Sequence, residues 1–442
     1  MDATLGNALS LWLVLPFAGL LLCIALLPLA ARRWFDDDRN KVIVAAAFGV
    51  PVVVYLLVGQ GAAGREQVLD TAHEYVSFIV LLAALYTIAG GIFLSGNILA
   101  TPRSNLVFLL VGALLANVIG TTGAALVLVF PLLRANSERC HTRHIPVFLI
   151  FVVCNTAGLL LPLGPPLFLG FLQGVDFFWT LRLLPQWALV NGILLLVFYL
   201  VDRHEYAKET SDCLAEDVAD YVPLGLEGKI NLLFLAGVVA TVVASGLLAG
   251  AAEAIHFAFL REVIIIVLLL LSLKIGPHTP REHNGFSWHP IREVAILFAG
   301  IFAAIAPVLA ILQARGGDLG LTQPWEYLWA SGGLSSVLDN TPAYLAFTAA
   351  AQGYLGVDST GGLMATRVLP AVGNSPAEFL AAISCGTVFM GALTYVGNAP
   401  NFMVRSIAER SGIDMPHFFH FTAWAAAVLL PVFALVTVVF FL

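Results

Sequence analysis

Ser335-Ser-Val-Leu-Asp-Asn-Thr-Pro342 is a short polar run, ending in proline, inside a stretch that is otherwise apolar from about residue 325 to 352. The break leaves an arm of roughly a dozen residues on each side, ~18 Å of helix at most, which is too short to cross a membrane. A helix interrupted at its middle by Asp, Asn and Pro is tolerated only where it is buried in protein or lines a wet cavity. The stretch therefore reads as a re-entrant hairpin with its tip near Asp339.

Three further islands of the same kind accompany it. Gly391-Ala-Leu-Thr-Tyr-Val-Gly-Asn-Ala-Pro-Asn401 lies in the same half of the chain. Asn117-Val-Ile-Gly-Thr-Thr-Gly123 and Asn155-Thr-Ala-Gly158, running on to Pro162-Leu-Gly-Pro-Pro166, lie at mirrored places in the other half. Paired interruptions in corresponding segments of two halves point to a transporter binding site at the bilayer midplane.

Composition sets the context. Sixty per cent of the 442 residues are hydrophobic and 11% are charged, with a mean hydropathy of +0.92. A soluble globule of this size is excluded, and the long uninterrupted apolar runs exclude a β-barrel. Full-length spans are expected near residues 9–30, 41–59, 75–99, 145–174, 179–201, 230–251, 258–275, 291–313, 377–404 and 417–441. Hairpins are expected at about 105–134 and 325–352.

The fold class is thus an all-α polytopic membrane protein, with about ten transmembrane helices plus two re-entrant hairpins in an inverted five-plus-five repeat. Residues 1–201 form the first repeat, 202–229 a charged cytoplasmic linker with some amphipathic helix, and 230–442 the second repeat. With both termini outside, every lysine and arginine except Arg65, Arg182, Arg261, Arg315 and Arg367 falls on the cytoplasmic side, as the positive-inside rule requires. No basic leader precedes the first helix, so a cleaved signal peptide is not expected.

The chemistry is expected where the four breaks meet. Unwound backbone exposes carbonyl oxygens that suit Na⁺, half-helix N-termini favour anions, and Asn and Thr add neutral ligands. The candidate residues are Asn117, Thr121, Thr122, Asn155 and Thr156 in the first half. In the second they are Ser335, Ser336, Asp339, Asn340, Thr341, Thr394, Asn398 and Asn401. Asp339 is the sharpest, because an intramembrane carboxylate is functional by default and can exchange a proton for a cation. The structural alternative is that it caps the second hairpin arm.

The remaining features are plainer. His73 and Glu74 read as an interfacial pair, and Trp325 and Tyr327 as part of an interfacial aromatic belt. Cys23, Cys154 and Cys385 sit in apolar runs, where packing is the default. Cys140-His141-Thr-Arg-His144 reads as a basic loop in preference to a metal site. No P-loop, dinucleotide fingerprint or hydrolase triad is present, so neither an enzyme nor a cofactor beyond a transported Na⁺ or H⁺ is expected, and no nucleic-acid partner.

Four motifs carry a resemblance: Leu338-Asp-Asn-Thr-Pro342, Thr394-Tyr-Val-Gly-Asn-Ala-Pro-Asn-Phe402, Gly120-Thr-Thr-Gly123 and Pro162-Leu-Gly-Pro-Pro-Leu-Phe-Leu-Gly170. Over essentially the whole chain it resembles the ion transporter superfamily of citrate and dicarboxylate carriers, arsenite permeases and NhaD-type sodium/proton antiporters. It is most similar to a bacterial branch labelled either sodium:proton antiporter or citrate transport. The resemblance implies a homodimer in the bacterial cytoplasmic membrane, each protomer with a scaffold domain and a mobile domain carrying the hairpins. The functions it implies are sodium/proton antiport, ion-coupled carriage of citrate or a similar carboxylate, and arsenite or oxyanion transport.

One departure stands out. Relatives often read Thr-Pro-Leu-Gly-Asp-Pro-Pro where this chain has Leu161-Pro-Leu-Gly-Pro-Pro166. Antiporters also tend to carry an Asp before the residue equivalent to Asn117. Where ions bind in both halves of such relatives, the resemblance implies that here Asp339 carries coupling largely alone.

Overall fold

The structure is a computed structural model and describes residues 3–35, 37–211, 222–247 and 259–442. Three long helices open the chain: α1 (Val14–Ala30), α2 (Asp38–Gly59) and α3 (Gly61–Gly90). Strand β1 (Phe93–Asn97) follows, then α4 (Pro102–Arg134), α5 (His144–Phe151), α6 (Pro165–Leu172) and α7 (Leu184–Tyr206). Strand β2 (Val222–Glu227) leads to α8 (Ile230–Leu247), α9 (Leu260–Ile275) and α10 (His289–Arg315). The chain ends with α11 (Pro324–Val337), α12 (Asn340–Leu355), α13 (Pro376–Met390), α14 (Ala399–Arg410) and α15 (Phe418–Phe440).

Among the described residues nine helical segments are long and apolar enough to cross a membrane by length and composition, which agrees with an all-α polytopic membrane protein. One of the nine is α4, and it is not a straight rod. Gly120 sits at φ 72°, ψ 160° inside it, a conformation open to glycine and costly to any residue with a Cβ. The chain doubles back there. A Cβ on Gly112 would lie 2.7 Å from Leu128 Cδ1, although sixteen residues of straight helix would separate them by ~24 Å. At the open end Asn105 and Asn136 exchange amide hydrogen bonds of 2.9 and 2.8 Å. The two arms of α4, before and after Gly120, thus lie against each other.

The second interrupted stretch breaks where its sequence does. A capping box of Gln323 and Glu326, with Pro324 at the first helical position, starts α11. Leu338 is extended, at φ −129° and ψ 161°. Asp339 then caps α12 by accepting the Thr341 N–H at 3.1 Å. Gly356, left-handed at φ 64°, ends that arm. Packing holds α11 along α13 and sets α10 against α2 and α12.

Several boundaries differ from the sequence reading. The third span, expected over 75–99, is a helix from Gly61 to Gly90. It stops because its last carbonyls are taken by side chains: Asn284 Nδ2 donates to Gly90 O (2.9 Å) and Ile92 O (2.7 Å), and Asn231 Nδ2 to Gly91 O (2.8 Å). Residues 93–97 form β1, paired antiparallel with β2 in the register Phe93↔Glu227 and Ser95↔Gly225. The 202–229 stretch is accordingly strand at its end, and α7 runs into it as far as Tyr206. Residues 212–221 of the stretch expected to carry some amphipathic helix lie outside the described residues. The 145–174 span is α5, a π-turn at Val152–Thr156, irregular chain, then α6. The 377–404 span divides likewise into α13 and α14. Described helix in the 258–275 span covers sixteen residues, Leu260–Ile275.

Candidate functional site

The π-turn between α5 and α6 turns Asn155 into the interior, fully buried. Its Nδ2 donates to Ile150 O at 2.8 Å and to Asn401 Oδ1 at 2.7 Å. Its Oδ1 accepts from Asn398 Nδ2 at 3.2 Å, and the same Nδ2 reaches Cys154 O at 2.8 Å. Asn401 uses its own amide to hold Gly391 O and Thr394 O, both at 2.9 Å. The first-half break and the break between α13 and α14 are thus joined through three asparagines. Gly391 is required at that junction, since a Cβ there would stand 2.9 Å from Asn155 Oδ1.

The α11–α12 tip joins from the other side. Thr394 Oγ1 donates to Ser336 O at 2.5 Å and accepts Gly397 N–H at 3.0 Å. Ser335 Oγ donates to Thr387 O at 2.7 Å. Asn340, with its amide set so that nitrogen meets acceptors, donates to Gly397 O (3.0 Å) and Ser335 Oγ (2.7 Å), with Thr387 O 3.2 Å away. The backbone oxygens of Gly391, Ser335 and Ser336 all come within about 3 Å of where a Cβ on Gly397 would be. A side chain at this position would therefore collide with three backbone oxygens, so only glycine lets the tip and the α13–α14 break approach this closely.

The first hairpin tip reaches the same break by its later part. Asn117 Oδ1 accepts Leu160 N–H at 2.8 Å, while its Nδ2 closes on Ala113 O at 2.9 Å. Thr121 packs on Gly158, where a Cβ would stand 2.5 Å from Thr121 Cγ2. Thr122, one residue on, is half-buried. Thr156 is turned away: its Oγ1 donates to Asn191 Oδ1 on α7 (2.8 Å) and lies 3.0 Å from Phe151 O.

Asp339 is half-buried at the tip, with its Oδ1 on the Thr341 N–H and no ion pair among the described residues. Next to it, Thr341 Oγ1 is buried with no hydrogen-bond partner among the described residues. An unsatisfied buried hydroxyl costs about 1–3 kcal/mol, and a bound ion or ligand oxygen would satisfy it. The two halves differ at this level. Helix α12 begins on the Asp339 carboxylate, whereas α6 begins on Gly164 with no side-chain cap.

Sequence reading missed several supporting groups. Trp187 Nε1 donates to Ala157 O and Thr180 Oγ1 to Leu160 O, both at 2.8 Å, pinning the unwound chain before α6. Asn191 and Trp187 stand one helical turn apart on α7, a spacing visible in sequence. Glu74 lies well inside α3, and its Oε1 accepts from Gln173 at 3.3 Å, while His73 rests on the Phe259 ring. Gln173, Thr360, Gln352 and Gln313 continue that chain at 2.8, 2.6 and 2.6 Å. Tyr327 is fully buried between Phe347 and Phe379 and does not belong to a surface belt.

Long apolar helices wrapped around buried, interrupted ones define an integral membrane protein with a polar centre. The chain belongs to the family described as "Putative citrate transport", which it matches over residues 6–441. It is therefore a membrane transporter acting on a small ion or molecule in a lipid bilayer. No curated protein matches the chain.

Proposed function

We propose that this transporter is a secondary active carrier that works by alternating access, exchanging sodium for protons at Asp339. One observation carries the reading: a carboxylate without a cationic partner among the described residues stands at the α11–α12 tip, next in sequence to Asn340, which with the Ser335 and Thr394 hydroxyls ties that tip through backbone oxygens to α13 and the α13–α14 break. Such a donor set stabilises a desolvated monovalent cation and offers it a counter-charge. Sodium displaces the Asp339 proton on one side, and the reprotonated carboxyl returns on the other. The inverted five-plus-five repeat supplies the two states, with the α11–α12 and α4 hairpins moving against the long helices. On this reading the protein is a homodimer in the cytoplasmic membrane, with both termini outside.

The family description favours a second reading, in which citrate or a similar carboxylate travels with the cation. A cation bound beside Asp339 would remove the repulsion between that carboxylate and an anionic substrate. Purified protein in vesicles holding a pH gradient separates the two. Dissipation on adding Na⁺ or Li⁺ alone supports exchange. No response to cations, with citrate uptake driven by a Na⁺ or H⁺ gradient, refutes exchange in favour of carboxylate carriage.

A further inference from the structure

A second polar cluster lies between the two first-half breaks in the chain, where the α4 hairpin ends and α5 begins. Arg139 is buried and pairs through Nη1 with Asp202 Oδ1 at 2.7 Å. Asp202 also meets His144 Nε2 at 2.9 Å and Asn105 Nδ2 at 3.0 Å. This part is a closed structural network.

Glu209 is different. It stands three residues beyond the end of α7, and its side chain is fully enclosed. Cys140 N–H donates to Oε2 at 2.9 Å and His141 N–H to Oε1 at 3.0 Å, while Arg139 Nε lies 3.5 Å from Oε1. His141 Nδ1 is also 3.5 Å from Oε1. Two successive backbone N–H groups and a guanidinium converge on one carboxylate, each oxygen held separately. That is how proteins bind anions with backbone nests and arginine.

Two further observations set this contact apart. Arg139 Nη2 is buried with no acceptor among the described residues. The same loop opens on a cleft of about 840 Å³ lined by Arg134, Asn136, Arg139, His141 and Arg143, with Glu205, itself paired to Lys208, also on its wall. Arg134 shares the cleft without a carboxylate partner among the described residues, its guanidinium lying over the Phe93 ring. Asp414 pairs with Arg143 at the edge.

We propose that Arg139, Cys140 and His141 form a carboxylate-binding site, distinct from the central one, that Glu209 occupies as an internal ligand. Its external ligand is a small polycarboxylate, which enters by the adjoining cleft and displaces Glu209. One carboxylate of that ligand takes the two N–H groups, and a second reaches Arg139 Nη2 and Arg134. The loop leads directly into α5 and the π-turn carrying Asn155, so exchange of ligands here bears on the central breaks. The site does not depend on what the central site carries.

The test is calorimetric titration of the full-length protein in lipid nanodiscs with citrate, and separately with inorganic phosphate. A tethered competitor acts at an effective concentration on the order of millimolar, so Glu209→Ala should bind citrate ~10-fold or more tightly than the wild type. Citrate should also protect Cys140 from N-ethylmaleimide in a Cys213→Ser background. Phosphate, which lacks a second carboxylate arm, should bind more weakly than citrate. Equal citrate affinity in Glu209→Ala and wild type overturns the proposal. So does tighter binding with Cys140 still labelled, which would place citrate elsewhere, or phosphate binding as tight as citrate. If Glu209→Ala does not fold, Glu209→Gln, which keeps the shape and loses the charge, carries the same measurements. No ion gradient is used, so failure of sodium/proton exchange in vesicles leaves the outcome untouched.

Discussion

Replacing Asn155 with alanine removes the side chain that ties the two central breaks together. Three hydrogen bonds go with it: Nδ2 to Ile150 O (2.8 Å), Nδ2 to Asn401 Oδ1 (2.7 Å) and Asn398 Nδ2 to Oδ1 (3.2 Å). Interhelical hydrogen bonds in membrane proteins average about 0.6 kcal/mol each, which gives ~2 kcal/mol for three. Asn398 keeps Cys154 O as an acceptor, but Asn401 Oδ1 loses its amide donor. Stranding that buried oxygen adds at least about 1 kcal/mol. The expected loss is therefore ~3 kcal/mol, read as a shift of SDS-induced unfolding in mixed micelles. Asn117→Ala, which loses two contacts at the other hairpin, is expected to cost less than Asn155→Ala. A loss below ~0.5 kcal/mol for Asn155→Ala would refute the view that these amides carry the junction.

Three other outcomes can be checked with little apparatus. Gly120→Ala forces a Cβ into a left-handed turn 3.2 Å from Leu163 O, and should lower stability in the same SDS titration by at least about 1–2 kcal/mol. Thr341→Val removes a buried hydroxyl that has no partner among the described residues. Unfolding should be unchanged or slightly harder, while binding of radioactive Na⁺ weakens by ~5-fold, about 1 kcal/mol. Burial alone would raise the Glu209 carboxyl, but the Cys140 and His141 N–H groups and Arg139 outweigh it and hold it below the ordinary carboxylate range. A depressed folded-state value stabilises the fold above the unfolded value of ~4.3 and gives that up as pH falls through the folded value. The thermal midpoint of wild type should thus exceed that of Glu209→Gln near neutrality and converge on it in acid.

The interruptions were legible because they are written in local chemistry. Gly120, Pro165 and Pro166, Asp339 and the Gly391–Asn401 run each leave a signal within a few residues, and each marks a real break. What escaped was set by partners distant in sequence. Nothing within Phe93–Asn97 announces pairing with Val222–Glu227, and the end of α3 at Gly90 depends on Asn231 and Asn284. A charged residue such as Arg139 or Asp202 reads as a loop or helix end until its partner is seen to bury it. The direction of Thr156, away from the breaks and onto Asn191, follows from the π-turn, which shifts side chains around the helix by a step that ordinary helical spacing does not anticipate.

The central claim concerns Asp339, and vesicles reconstituted with wild type, Asp339→Asn and Asp339→Glu test it most directly. Each would hold an imposed pH gradient and receive a pulse of Na⁺, with proton flux recorded. Wild type should dissipate the gradient, Asp339→Asn should not, and Asp339→Glu should retain part of the response, all three folding alike. Sodium-driven proton flux persisting in Asp339→Asn would contradict the assignment of coupling to that carboxylate.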